Sequence, residues 1–383
     1  MIHWDEIQLD YEPREKILPR LPVVPNEPEM SVTESAFLCG IIKQFNPKKI
    51  VEVGIAGGGT TAIILQCLND LDDKDREMYS IDYSERFYRD ENYVSGFLGK
   101  IALDLIASKH ISHKFLYGKV ACAWENDIGN DIDCLILDTT HSLPGELLDF
   151  ITLLPQLKNG SVVILHDTAY NLLSNGWMGW VGYATPTLLA AADGEKYINH
   201  DEDRLVGYPN IAAFVVDDST RENIDNLFLS LFITWKYIPK SDQLNDYRKS
   251  ISRNYGNDKL DLFDQALMLQ RVSNVTRDKK YRFPFGDVSR NERLVIYGAG
   301  KVGCEYVTQV NLSHYCEIVK WVDKRWDEMP LYKVDPIESI FSVEFDHLII
   351  AIEDEIVAEE IKTYLTETGG VDSEKIIWRD PLK

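Results

Sequence analysis

The sequence predicts an α/β protein with a doubly wound parallel sheet and a second, smaller Rossmann-like α/β domain toward its C-terminus. Two glycine-rich segments, residues 54–59 and 298–303, each follow a short apolar run and open a stretch of helical periodicity. Further apolar runs alternate with helical stretches between them. A strand, a glycine turn and a helix form the opening unit of a parallel sheet, and the alternation that follows favours helices on both of its faces.

Short β-rich runs predict the strands of both sheets. The first strand is expected at residues 49–53, after a helix at 34–45. The strands that follow are expected at residues 78–81, 114–117, 134–137, 161–165 and 211–216, and those of the smaller unit at 293–297, 317–322 and 346–352. The carboxyl ends of parallel strands meet at one edge of such a sheet, so we expect the functional site there.

Changes in composition indicate four segments. Residues 1–34 contain five prolines and are expected to form an extended arm without elements of its own, because proline fixes φ and lacks a backbone donor. Residues 35–235 are expected to form the first α/β domain, and residues 236–290 a helical linker. Residues 291–383 would form a small α/β domain, near the lower size limit for independent folding.

Composition and charge exclude several classes of protein. The chain of 383 residues is 45% apolar and 27% charged, as in soluble globular proteins, and its net charge of −22 disfavours nucleic acid and anionic membranes as partners. No apolar run approaches the length of a bilayer span, and the first residues lack the pattern of a secretory signal. The six cysteines stand singly, which is typical of reduced thiols. We therefore expect a cytoplasmic protein.

The first glycine turn has the features of a nucleoside-binding site. Its glycines allow a ligand to approach the backbone closely, and free amides at the start of the following helix favour a carboxylate or a phosphate. Asp82 ends the next strand, where an acid can accept hydrogen bonds from both ribose hydroxyls. A tight turn with a surface aspartate is the alternative interpretation.

Residues 35–217 resemble the class I S-adenosylmethionine-dependent methyltransferases, through the run Val-Glu-Val-Gly-Ile-Ala-Gly-Gly-Gly-Thr-Thr at 51–61 and Ser-Ile-Asp at 80–82. The resemblance implies S-adenosylmethionine as cofactor. It also implies that Glu52 and Gly54 face the methionine part, Asp82 the ribose and residues 119–121 the adenine. The candidate cofactor-binding residues are Glu52, Gly54, Gly57, Gly58, Thr60 and Asp82.

Two later strand ends carry residues suited to catalysis. Asp138 follows one strand with His141 three residues later, and the pair His166 and Asp167 follows the next strand. Because adjacent strand tips converge, Asp138 and Asp167 could share a hard cation such as Mg²⁺, with His166 as a further candidate ligand. His141 could serve as a general base. The alternative is that the aspartates cap loops and the histidines make ordinary hydrogen bonds.

This set suits methyl transfer to oxygen. A hydroxyl is a weak nucleophile toward a sulfonium methyl group until a metal or a base removes its proton. The set resembles that of macrocin-type sugar O-methyltransferases and cephalosporin-hydroxylase-like proteins, whose metal pair is often Glu-Asp where this chain has His166 and Asp167. The resemblance implies a sugar or another small hydroxylated acceptor, in polysaccharide or glycoside biosynthesis. Trp177 and Trp180 follow on a glycine-containing segment and could cover the acceptor, or pack within the protein or against another subunit.

The second glycine motif predicts another nucleotide site. Gly298, Gly300 and Gly303 follow a strand, and Asp323 ends the next one, as in dinucleotide-binding folds. The segment resembles the small Rossmann-like domains attached to enzymes of bacterial surface-polysaccharide assembly. That resemblance implies that it holds a nucleotide-linked or carrier-linked acceptor, or packs subunits together; a purely structural unit is the alternative.

Taken together, the residues predict an S-adenosylmethionine-dependent O-methyltransferase, assisted by Mg²⁺ or another divalent cation. Its partner would be a small-molecule acceptor, namely a sugar, a nucleotide-sugar or a glycoside, and the chain is expected to form a homo-oligomer. One alternative is an enzyme that uses NAD(P) or a nucleotide-sugar at the second glycine motif. The other alternative is a non-catalytic nucleotide-binding scaffold.

Overall fold

The chain forms two compact units, Met1–Phe263 and Asp264–Lys383. The structure is a computed structural model and describes residues 1–25, 27–72, 74–173, 182–201, 207–328 and 333–382. The first unit takes in the proline-rich segment and part of the expected linker, so its limits differ from those predicted. The reason is that the segment contributes a strand to the sheet of this unit, and a helix of the linker region packs against its helices.

An eight-stranded sheet, of order β1-β7-β8-β6-β5-β2-β3-β4, lies at the centre of the first unit. The strands are β1 (Ile2–Trp4), β2 (Lys49–Val53), β3 (Arg76–Asp82), β4 (Ile111–Tyr117), β5 (Ile132–Leu137), β6 (Leu157–His166), β7 (Lys196–Ile198) and β8 (Ile211–Val215). Strands β2 to β6 are mutually parallel, and β8 runs antiparallel to β6 and β7. The chain order reverses between β2 and β5, which opens a crevice at their carboxyl ends.

The helices of the first unit cover this sheet. They are α1 (Glu12–Ile17), α2 (Val32–Phe45), α3 (Gly59–Asn69), α4 (Phe97–Ile106), α5 (Glu125–Ile128), α6 (Gly145–Leu153), α7 (Tyr170–Leu173), α8 (Ala184–Ala191), α9 (Asp218–Glu222), α10 (Ile224–Ser230) and α11 (Ser241–Tyr255). The boundary between the units falls inside α12 (Asn257–Thr276). Central strands are apolar along their length because both faces are covered; Ile50, Ile136 and Ile164 are completely buried.

The predicted α/β fold and all the strands expected in its sheet are confirmed. The proline-rich segment was expected to lack elements, but it contains β1 and α1. Pro13 lies in the first turn of α1, where a helix needs no backbone donor. Strand β1 precedes the prolines and pairs in parallel with β7. Strand β7 was not predicted, because three residues are too short to show a periodicity.

The second unit has a parallel four-stranded sheet of order β10-β9-β11-β12. Its elements are β9 (Arg293–Tyr297), α13 (Lys301–Ser313), β10 (Glu317–Val322), β11 (His347–Ile350), α14 (Glu355–Glu367) and β12 (Ile376–Ile377). Two apolar clusters cover its faces, one with Tyr306 and Val310 of α13 and the other with Ala358 and Leu365 of α14. This confirms the predicted second, smaller α/β fold. Among the described residues of the whole chain, no helix has the length and apolar character needed to span a membrane.

Candidate active site

A cavity of about 1030 Å³ opens at the carboxyl ends of β2, β3, β5 and β6. Its wall includes Gly54, Asp82, Asp138, His141 and Asp167. The expected cofactor crevice and the expected catalytic residues therefore lie in one continuous space. The two strand tips that the sequence selected, after β5 and after β6, do converge.

Gly54 brings the ends of β2 and β5 together. Its φ is +94°, and a Cβ at this position would lie 1.8 Å from the carbonyl oxygen of Asp138. The Gly54 amide donates to Ile81 (2.9 Å), and the Asp138 amide donates to Val53 (2.9 Å). Only glycine satisfies both the positive φ and this close backbone approach.

Asp82 combines a structural contact with a place in the cavity wall. Its Oδ2 accepts hydrogen bonds from the amides of Ile55 (3.1 Å) and Ala56 (3.3 Å), and its Oδ1 accepts one from the amide of Ser84 (2.8 Å). Burial raises the pKa of Asp82, although these three amides act in the opposite direction. The carboxylate thus holds the glycine turn in shape while it faces the cavity.

Glu52 does not face the cavity, in contrast to the expectation for the methionine part of the cofactor. It is 1% exposed, and its Oε2 accepts hydrogen bonds from Ser80 Oγ (2.7 Å) and Thr61 Oγ1 (2.9 Å) beneath the turn. The alternation of side chains along β2 directs it into the interior. Burial raises the pKa of Glu52 to about 8, so it is protonated at neutral pH.

We expect the substitution Glu52→Gln to reduce the pH dependence of stability. A carboxyl group whose pKa is raised on folding binds more protons in the folded state, so the free energy of unfolding falls as the pH rises from about 5 to about 8. Glutamine stays neutral, so the variant lacks the pH-dependent contribution of Glu52 to the free energy of unfolding, which is about 1.4 kcal/mol per unit of pKa shift. Urea unfolding at pH 5.5 and at pH 8 measures this. Glu91→Gln, at an exposed position, is the control; an equal pH dependence in both variants would contradict the assignment.

The amides at the start of α3 are occupied by the proline-rich segment. Glu27 Oε1 accepts a hydrogen bond from the amide of Gly57 (2.9 Å), and its Oε2 accepts one from the amide of Gly59 (3.0 Å). Burial raises the pKa of Glu27 to about 7. The expected free amides of this turn therefore already hold a carboxylate, which sequence reasoning did not foresee.

The remaining predicted cofactor residues divide into two groups. Thr60, like Gly54 and Asp82, lines the cavity. Gly58 precedes α3 with a φ of +89°, and a Cβ there would lie within 3 Å of the backbone of Gly96. Gly58 thus allows α3 to pack closely against the start of α4. Gly57 allows the close contact with Glu27.

Asp138, His141 and Asp167 form a compact group of possible metal ligands. Nε2 of His141 lies 3.0 Å from Asp167 Oδ2 and 3.8 Å from Asp138 Oδ1. One ligand atom from each residue lies within 4.8 Å of the others. The φ angles of His141 (+53°) and Asp167 (+59°) are both in the left-handed region, which is a strained conformation that functional sites often maintain.

Glu146 and Asn210, which were not predicted from the sequence, hold this group in place. Glu146 Oε1 accepts hydrogen bonds from the amides of Thr139 (3.0 Å) and His141 (2.9 Å), and it lies 3.1 Å from His141 Nδ1. Asn210 Nδ2 donates to Asp167 Oδ1 (2.5 Å). The loop after β5 is thereby held by α6, and the tip of β6 by the residue that precedes β8.

His166 lies beside the group and not within it. Its Nδ1 is 3.0 Å from Asp138 Oδ1, and its Nε2 is 3.3 Å from Glu34 Oε2. Both ring nitrogens thus face carboxylates, whereas the three residues that could share a cation are Asp138, His141 and Asp167. Glu34 also accepts a hydrogen bond from the amide of Ser31 (2.6 Å) at the start of α2. The Ser-x-x-Glu pattern of this capping box was readable from the sequence.

Neighbouring carboxylates raise the pKa of both histidines. Burial alone would lower the pKa of His141, but Asp167 and Glu146 raise it well above its usual value. For His166, Asp138 and Asp167 likewise outweigh burial and raise the pKa. The carboxyl groups of Glu34, Asp138, Glu146 and Asp167 surround the two imidazoles. This acidic environment favours a cation.

The second glycine motif has the same local construction as the first. Asp323 Oδ2 accepts a hydrogen bond from the amide of Ala299 (2.7 Å), as Asp82 does from the first turn. Gly298 has a φ of +109°, and a Cβ on Gly303 would lie 1.9 Å from the carbonyl oxygen of Gly298. Gly300 has no atom within 4 Å of such a Cβ, so the turn is open at that residue.

Trp177 and Trp180 of the first unit, which the sequence suggested as a cover for the acceptor, lie outside the described residues.

Comparison with known proteins agrees with this geometry. Residues 51–168, which include both strand tips, match a protein family described as a methyltransferase domain. No curated protein matches the sequence of the chain significantly.

Several solved structures are similar to about half of the chain. A putative O-methyltransferase from Klebsiella pneumoniae is 12% identical, with 54% of this chain and 87% of that chain covered and a TM-score of 0.37. The O-methyltransferase TomG from Streptomyces achromogenes, solved with SAM, is 16% identical, with coverages of 56% and 92% and a TM-score of 0.38. The O-methyltransferase from Bacillus cereus, solved with SAH, is 16% identical, with coverages of 55% and 94% and a TM-score of 0.37. These similarities are too low to transfer the role of any residue.

Proposed function

We propose that the first unit is an S-adenosylmethionine-dependent O-methyltransferase that acts on a sugar or another small hydroxylated acceptor, in polysaccharide or glycoside biosynthesis. One observation carries the proposal: the nucleoside-binding turn at Gly54 and Asp82 shares a single cavity with the Asp138, His141 and Asp167 group. A methyl donor and a hydroxyl acceptor must meet in such a common space.

The cavity offers a separate surface to each part of the cofactor. The open backbone at Gly54 suits the methionine part, and Asp82 suits the ribose hydroxyls. Val120 and Ala121, which are buried apolar residues of the cavity wall beyond the end of β4, suit a flat base. The acidic residues of the wall favour a ligand with a sulfonium charge.

Asp138, His141 and Asp167 fit a divalent cation. Two carboxylates and one imidazole, with ligand atoms within 4.8 Å of one another, form a donor set that Mg²⁺ or a softer ion such as Mn²⁺ accepts. When bound, the cation would lower the pKa of the acceptor hydroxyl and offset the negative charge of Asp167 that raises the pKa of His141.

The residues of the chain then orient the acceptor and move its proton. His141 is held between Asp167 and Glu146 and directs Nε2 toward the carboxylate group. With the cation held by Asp138 and Asp167 and not by this nitrogen, neutral His141 can accept the hydroxyl proton, which is the role proposed from the sequence. The ring of Tyr170 lies edge-on to His141, with centroids 5.6 Å apart, and provides an apolar face against which a sugar ring can pack.

For the second unit, we propose the binding of a nucleotide or a nucleotide-linked acceptor at Gly298, Gly300, Gly303 and Asp323. The support is the open turn at Gly300 and the contact of Asp323 with the turn amide. In the first unit, Asp82 makes the equivalent contact with the amide of Ile55 and also lines the cavity.

Calorimetry on the full chain tests both sites. We expect S-adenosylhomocysteine to bind, and we expect Asp82→Ala to abolish that binding because the ribose contact and the turn geometry are lost together. Asp323→Ala is the matched variant of the second unit, and it should affect only the binding of NAD or a uridine nucleotide. Binding of NAD without any binding of S-adenosylhomocysteine would contradict the proposed methyltransferase and favour the nucleotide-dependent alternative.

A further inference from the structure

Asp149 is a buried acid of the cavity wall that belongs neither to the glycine turn nor to the Asp138, His141 and Asp167 group. Asp149 is 6% exposed and lies on α6, one turn after Gly145, which lines the same cavity. Its Oδ1 accepts a hydrogen bond from the hydroxyl of Tyr247 (3.2 Å), a residue of α11 that is itself 5% exposed. No hydrogen bond to its Oδ2 is found among the described residues, and this oxygen is accessible from the cavity. A carboxylate oxygen in a largely buried wall gains stability when a ligand supplies a donor.

The position of Asp149 in the cavity indicates which group of the ligand would donate this hydrogen bond. A nucleoside whose ribose contacts Asp82 at the end of β3 extends its base toward the end of β4, where Val120 and Ala121 form the wall. Helices α6 and α11 both pack against the 3-10 turn that begins at Ala121. Asp149 on α6 therefore lies on the side of the cavity that would receive the base.

We infer that Asp149, held by Tyr247, recognises the N6 amino group of the cofactor's adenine by accepting its hydrogen bond at Oδ2. This inference rests on the proposed use of S-adenosylmethionine. The amino group is the donor that adenine offers at its Watson–Crick edge. Tyr247 restricts the carboxylate to one orientation, so that Oδ1 is occupied and Oδ2 is presented to the base.

The electrostatics of the site agree with a donor on the ligand. Burial raises the pKa of Asp149 to about 7, and the charge of Glu146 adds to this effect while the Tyr247 hydroxyl opposes it. A hydrogen bond from an amino group would stabilise the anion that burial disfavours. The neighbouring Cys122 and Tyr237 have pKa values raised by burial and so remain neutral near pH 7.

Two ligands separate adenine recognition from a structural role. We expect the wild type to bind S-adenosylhomocysteine at least about tenfold more tightly than its deaminated purine analogue, in which hydrogen replaces the N6 amino group. In Asp149→Asn, Tyr247 continues to hold the carbonyl oxygen, so that an amide donor faces the amino group. This variant should lose affinity for S-adenosylhomocysteine but keep its affinity for the purine analogue, as measured by calorimetry.

Controls distinguish the possible failures. Asp104→Asn, at an exposed position of α4, should change neither affinity, and Tyr247→Phe should reduce the preference for adenine even if Asp149→Asn does not fold. Equal binding of the two ligands by the wild type would overturn the inference and leave the proposed function intact. If the wild type bound neither ligand, the proposed function and the inference would both fall.

Discussion

Replacing Asp167 with asparagine is expected to lower methyl transfer by at least about 10²-fold while the affinity for S-adenosylhomocysteine stays largely unchanged. Asn210 donates to Asp167 Oδ1, and it would continue to hold the carbonyl oxygen of an asparagine. The amide nitrogen would then replace Oδ2, the atom that lies 3.0 Å from His141 Nε2. An amide nitrogen cannot ligate a cation, and it carries no charge to balance one.

Two measurements check this prediction. Binding of Mn²⁺, followed by electron paramagnetic resonance, requires no acceptor and should be lost in Asp167→Asn. Transfer of a labelled methyl group, with any sugar or other hydroxylated acceptor that gives turnover with the wild type, should fall in parallel. Asp104→Asn again serves as the control. Unchanged Mn²⁺ binding and turnover would show that Asp138, His141 and Asp167 form only a structural ion-pair network.

Gly54→Ala is expected to have the largest effect on stability, about 3 kcal/mol or more. The added Cβ would lie 1.8 Å from the carbonyl oxygen of Asp138, so β2 and β5 would have to separate. The φ of +94° adds strain of about 1–2 kcal/mol for any residue with a side chain. The same movement would displace Asp138 and open the cofactor turn, so binding of S-adenosylhomocysteine should be lost.

Gly160→Ala provides the matched control for Gly54→Ala. Gly160 also has a positive φ, of +86°, but a Cβ there would meet no atom within 4 Å. Both variants introduce backbone strain, but only Gly54→Ala introduces a steric overlap with the carbonyl oxygen of Asp138. The difference between their free energies of unfolding in urea therefore measures the cost of that overlap. Equal destabilisation would contradict the proposed role of the close approach between Gly54 and Asp138.

The placement of the proposed catalytic group was predictable because it depends on local rules. Asp138 and Asp167 follow apolar strands directly, and parallel strands end at a common edge. The occupant of the α3 amides was not predictable, because Glu27 reaches Gly57 across 30 positions of sequence. The raised pKa of His141 was also unpredictable, since it follows from Asp167 and Glu146 and not from the residue itself.

The sequence by itself determined which residues stand at the strand ends and where backbone must pass close to backbone. Apolar periodicity and glycine turns report local conformation, so the α/β fold, the turn at Gly54 and the acids Asp138 and Asp167 were all readable. Only the tertiary structure decided what each side chain faces: Glu52 is buried beneath the turn, whereas Asp149 faces the cavity. The physical reason is that burial and charge depend on neighbours distant in the sequence, and these neighbours set the protonation and the free hydrogen-bonding atoms of the site.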